Sequence, residues 1–265
     1  MAHTIKIFFL LLLLPAAACK KVIQVNLNDA AAQTVITGDV TNAAGPYTVT
    51  ITKTANFSAT NQYPPVRGAQ VVITGSDGLR DSLVETTPGI YTTTYSWLGK
   101  PGTSYTLRVT AEGKTYTAVS VMPQPVVLDS VGFRADQRLK GKTTIKAVPY
   151  YQDPAGRDNY YQFTENINGI DYTDRVFVSS DRLSDGKYID RALGSDTALK
   201  AGYILVLSMY CIDKGVYDYL NTLNDVSDPG NFSSVTPTNP ASNFSNGALG
   251  YFSAHTFQSK QVIVH

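Results

Sequence analysis

Cysteine, histidine and net charge are all scarce in this 265-residue chain, and each scarcity removes a class of function. There are two cysteines, Cys19 and Cys211, so one intramolecular disulfide is the ceiling, and none is possible if Cys19 is modified. The three histidines stand apart, at His3, His255 and His265, and offer no Cys/His cluster for zinc. No G-x-S-x-G elbow is present to support a hydrolase-type serine triad. Basic residues number 22 and acidic ones 21. That balance argues against nucleic acid, whose binding rests on a dense excess of Lys and Arg. Long apolar runs are also missing. The run Ile7 to Leu14 is too short for a bilayer core, which needs about 20 residues, and Tyr203 to Tyr210 has the length of a buried strand.

What is present begins with that short run. A slightly basic start, the hydrocarbon stretch Ile7 to Leu14, Pro15 and three alanines lead to Cys19 and then Lys20-Lys21. This is the form of an export signal. A cysteine directly after small residues is where a lipoprotein signal peptidase cuts and where lipid is attached. Residues 1–18 are therefore expected to be a lipoprotein signal peptide, with lipid on Cys19. Ala16-x-Ala18 also satisfies ordinary secretory cleavage, in which case Cys19 is a plain thiol. Cys211, inside an apolar run, reads as a small core hydrophobe.

Beyond a polar tether at 19–33, short β-branched segments alternate with turn signals such as Ser76-Asp77-Gly78, Pro88-Gly89 and Glu112-Gly113. Tyr105, Leu107 and Val109 alternate with Thr106, Arg108 and Thr110, the pattern of a sheet with one wet face. Seven such strands in about 90 residues predict an immunoglobulin-like β-sandwich over 34–124. Met122-Pro123-Gln124-Pro125 marks a boundary, since two prolines do not fit a central strand. A second β-rich domain is expected over 125–265, with one helix near 213–225, where Val216, Tyr219, Leu220 and Leu223 recur at helical spacing. The fold class is thus mainly all-β.

Candidate chemistry is sparse. Asp171, Asp174, Asp181, Asp185 and Asp190 crowd one segment, but basic residues are interleaved and the spacing lacks a calcium-loop form. The segment reads as a solvated hairpin. A glycosidase-type carboxylate pair within it is the enzymatic alternative. His255 reads as a strand residue with one hydrogen bond. The 17 tyrosines suit contact surfaces, and Tyr150, Tyr151, Tyr160 and Tyr161 are the candidates, with Phe232 and Phe244 from the Asn/Pro-rich stretch 229–246. That stretch reads equally as a contact loop or a structural strap. No catalytic residue, metal ligand or cofactor is expected.

Three blocks carry a resemblance: Gly68-Ala69-Gln70-Val71-Val72-Ile73 with Gly78; Gly89-Ile90-Tyr91 with Gly102-Thr103-Ser104-Tyr105-Thr106-Leu107; and Asn239-Pro240-Ala241-Ser242-Asn243 with Gly247 to Ala254. With Cys19 in front, the chain resembles a lipoprotein family of Bacteroidetes-type bacteria known as a domain of unknown function. Genes of that family often lie beside TonB-dependent outer-membrane receptors. The resemblance implies a lipid-anchored outer-membrane protein and a TonB-dependent receptor as partner, and it provides no catalytic residues. Lys20-Lys21 stands where surface-exported lipoproteins of these bacteria often carry acidic residues, which leaves both membrane faces open. The expected function is a non-enzymatic accessory or ligand-capturing lipoprotein. A structural or adhesive envelope protein and a carbohydrate-active enzyme with paired carboxylates are the alternatives.

Overall fold

β-Branched residues with alternating burial make the first third of the chain a succession of strands: β1 (Thr34–Thr41), β2 (Thr48–Lys53), β3 (Gln70–Gly75), β4 (Arg80–Thr87), β5 (Ile90–Thr92), β6 (Ser104–Ala111) and β7 (Lys114–Val121). The computed structural model describes residues 31–55, 63–139, 142–194, 199–227 and 239–265. The strands hydrogen-bond in the order β1-β2-β5-β4-β3-β6-β7. Strand β4 turns the corner, pairing with β3 through Arg80–Leu83 and with β5 through Val84–Thr87. One core fills this unit, with Ile36, Ile51, Ile73, Tyr91 and Leu107 all but inaccessible. Period-two alternation on β6 is realised as read: Tyr105, Leu107 and Val109 face the core while Thr106 and Arg108 do not. Trp97 lies between the rings of Tyr47 and Tyr105, and its indole N–H donates to the buried Asp81 carboxylate at 3.1 Å. Asp81 also accepts from the Thr94 hydroxyl at 2.7 Å, so a charge in this core keeps its hydrogen bonds.

The rest of the chain adds three layers. A three-stranded sheet holds β8 (Leu128–Leu139), β9 (Lys142–Gln152) and β12 (Tyr188–Ile189). A second ladder runs β11 (Ile170–Ser180), β10 (Tyr160–Ile167), β13 (Ile204–Ile212) and β14 (Leu249–Ile263). Tyr151, Tyr161, Phe163, Leu205, Leu207 and Met209 form the core shared by these sheets. The single helix among the described residues, α1 (Lys214–Ser227), covers the opposite face of the ladder through Val216 and Leu220. It runs two residues beyond the expected end. Asp213 is its N-cap, accepting from the Val216 amide at 2.9 Å. Cys211 is buried on β13 and unpaired, in the role of a small core hydrophobe. The protein is mostly β, with one large multi-strand sheet and a smaller one.

Strand β14 joins the two ladders. Its first half, Leu249 to His255, pairs parallel with β1, and its second half, Thr256 to Ile263, pairs antiparallel with β13. Side chains satisfy the open edge of the first half. Ser242 donates to the Gly250 carbonyl at 2.7 Å, and Asn243 both donates to and accepts from the Phe252 backbone. The Ala254 amide donates to the Ser120 hydroxyl at 2.7 Å, and that hydroxyl donates in turn to Asp213. The same short segment also closes the edge of β7. Phe244 bridges Ala118, the Ser245 amide donates to the Thr117 carbonyl at 2.9 Å, and Asn246 donates to Thr115. Residues 239–246, the described end of the Asn/Pro-rich stretch, therefore act as a strap that occupies two open strand edges.

Gly250 is critical to this seam. Its φ is +90°, and a Cβ there would fall 2.1 Å from the Ile36 carbonyl oxygen, backbone that cannot swing aside. Gly250→Ala should therefore lose ~3 kcal/mol or more in urea unfolding. Gly247→Ala, also at positive φ but with open space around its Cβ, should lose only ~1 kcal/mol. Equal losses would remove the special status of the β1–β14 contact.

Candidate functional site

The tyrosine pairs divide by strand alternation. Tyr151 and Tyr161 are 3% and 1% exposed and pack ring to ring at 4.9 Å inside the second core. They are core residues, which corrects their reading as contact surface. Tyr160 points to the other face of β10, but that face lies under α1, where its ring meets Tyr217 at 5.0 Å. Tyr219 meets Tyr251 at 4.8 Å in the same seam, and burial pushes the Tyr251 phenol up to about 12. Phe244 is likewise corrected: it is buried in the first core, pinned by the strap. Cys19 and Phe232 lie outside the described residues.

Tyr150 is half-buried on the outer side of the three-stranded sheet, and its ring partner there was not singled out from the sequence. Its ring lies against Gly132, where a Cβ would come within 2.8 Å, and stands 6.5 Å from the ring of Tyr188. Tyr188 is about half exposed. Its two-residue strand between Gly186 and Asp190 is too short to give a periodic signal.

Two carboxylates of the crowded segment, Asp181 and Asp185, converge with Asp153 from another turn. Asp153, Asp181 and Asp185 bring three ligand oxygens within 4.8 Å of one another, with Asp153 and Asp181 buried. They are the described residues able to offer three oxygens to one hard cation. Each is also held by protein donors. Asp153 accepts from the Tyr161 hydroxyl and from the Gly186 amide at 3.1 Å. Asp181 accepts from the Asn159 amide at 2.7 Å, and Asp185 from the Gly156 amide at 2.8 Å. These bonds pin the 153–159 turn to the 181–187 turn. Desolvation, followed by the neighbouring carboxylates, raises the Asp181 carboxyl above its ordinary 3.8. Asp190 sits apart, paired with Arg134 at 3.2 Å.

His255 has the structural place expected of it. Its Nδ1 is 2.9 Å from the Ser253 hydroxyl, and its ring meets Tyr210 edge-on at 5.3 Å. Burial pulls its pKa down from 6.5 to about 4, so the ring is neutral at physiological pH.

Residues 20–261 match the family described as Domain of unknown function (DUF4249). The chain belongs to that family. No curated protein matches it. The blocks by which the sequence resembles this DUF4249 family fall at seams of the fold. Tyr91 of the second block holds the first: its hydroxyl accepts from the Ala69 amide and donates to the Val66 carbonyl, both at 2.9 Å. Glu85 accepts from the amides of Gly68 and Gly89. The closing block is the strap together with the first half of β14.

Asp181 and His255 predict opposite pH responses. The depressed His255 pKa contributes stability that is present above 6.5 and lost as pH falls towards about 4, to a limit of ~3 kcal/mol. The raised Asp181 pKa contributes stability that is present below 3.8 and lost as pH rises through its folded value. His255→Phe should therefore reduce the fall in Tm on acidification, and Asp181→Asn should raise Tm at pH 7 relative to pH 4. Tm profiles of both variants that run parallel to wild type would contradict these assignments.

Proposed function

We propose that this protein is a lipid-anchored envelope protein that works without catalysis, as an accessory or ligand-capturing partner of a TonB-dependent outer-membrane transporter. The observation that carries the anchored reading is where the tether meets the fold. The chain enters at β1, an interior strand hydrogen-bonded to β14 on one side and β2 on the other. Tension on a leash from Cys19 would load both ladders together, the arrangement that suits an anchor strand. Residues 20–33 reach at most ~50 Å when extended, which keeps the β domains close to the bilayer. The transporter partnership is supported by the resemblance of the three sequence blocks to receptor-linked lipoproteins.

The test is affinity capture from detergent-solubilised outer membrane, with partners identified by mass spectrometry and Cys19→Ala as control. Stoichiometric recovery of a TonB-dependent receptor, weakened in Cys19→Ala, is expected. Recovery of the protein alone, from a membrane in which that receptor is expressed, would defeat the accessory reading. Labelled palmitate should enter the wild-type chain and not Cys19→Ala.

A further inference from the structure

The face of β4, β3, β6 and β7 that turns away from the first core is not covered by another layer of the described chain. It lines a solvent-open cavity of about 490 Å³. The register fixes what stands there. Thr74 lies opposite both Arg80 and Thr106, Val72 lies opposite Arg108, and Arg108 lies opposite Thr117. Arg80 and Arg108 are thus two strands apart and offset by two residues, roughly 12 Å between their Cα atoms. Both line the one cavity, together with threonine hydroxyls.

Charge is one-sided here. The lining contains two guanidinium groups and no carboxylate. Among the described residues neither arginine is in an ion pair, a condition they share with other exposed cations such as Arg67 and Lys260; what sets them apart is that they line the same surface. A chain with nearly balanced charge has therefore placed two unneutralised cations over a single concave surface. Guanidinium presents a planar fork of donors that matches carboxylate and phosphate oxygens two at a time. The volume lies within the range of small-molecule sites. No aromatic ring lines the cavity to stack on a neutral sugar.

We propose that this face binds a small organic dianion, with one carboxylate or phosphate group taken by Arg80, a second by Arg108, and the polar remainder by the threonine hydroxyls. The proposal names a ligand class for the capturing role but does not depend on the transporter partnership. Binding would stand even if no receptor were recovered by capture.

The test is isothermal titration calorimetry on the full chain as it is isolated, in non-ionic detergent at low ionic strength. The probes are citrate, a hexose bisphosphate and the neutral hexose. At least one anion should saturate in the sub-millimolar range, and binding should weaken with added salt. Arg80→Gln and Arg108→Gln should each weaken it ~10-fold or more, and the double variant should abolish it. Lys114→Gln, outside the lining, should leave it unchanged. Both arginines are exposed, so the variants should melt with wild type, and Tm measured alongside verifies this. If both anions fail to saturate, the proposal is overturned. It is overturned equally if the double variant binds as wild type does, or if the neutral hexose binds as well as the anions.

Discussion

A single strand with two partners of opposite direction sets the terms for the whole molecule. β14 completes the first ladder in parallel and the second in antiparallel, so neither core closes without it. Such sharing has a cost, because where a strand exchanges partners its backbone groups face no neighbouring ladder. Buried amides and carbonyls left in that state would be unfavourable by several kcal/mol in sum. Ser120, Ser242 and Asn243 supply the missing partners, and Asp213 connects Ser120 to the start of α1. One carboxylate thus serves as helix cap and as a link between β7, β13 and β14.

Much of the architecture was legible in the sequence because it is local. Alternation on β6, the helical spacing of Val216 and Leu220, and the burial of Cys211 all depend on residues near in sequence. The division of the tyrosines was not legible. Period two says that Tyr160 and Tyr161 face opposite ways, but it cannot say that β10 is covered on both faces, by a sheet on one side and a helix on the other. Asp181 and Asp185 were visible as part of an acidic segment, but their convergence with Asp153 was not, for a related reason. Asp153 lies in a different turn from Asp181 and Asp185, and no spacing rule joins them. The parallel pairing of β1 with β14 was equally invisible, since neither strand carries a mark of the other.

The polar side chains of this protein fall into two populations. Those at seams are saturated with backbone partners: Asp81, Glu85, Asp153, Asn243. Their work is architectural. The other population is exposed, as Tyr188 and the arginine-bearing face of the first unit are. This separation accounts for how few reactive motifs the sequence carries. The groups with the most perturbed protonation equilibria are the buried ones, holding turns and strands together, while the groups free to meet a ligand are ordinary exposed cations and phenols.

The parallel contact between Thr34–Thr41 and Leu249–His255 also has a meaning in time. A polypeptide emerges from its ribosome with its N-terminal end first. β1 can find β2 within moments, but the strand on its other side is among the last stretches to arrive. Contacts of such long sequence separation slow folding, and until they form an interior strand is left as an open edge. A chain broken off before residue 249 would keep that edge indefinitely, so the completed first sheet doubles as a readout that synthesis ran past the strap.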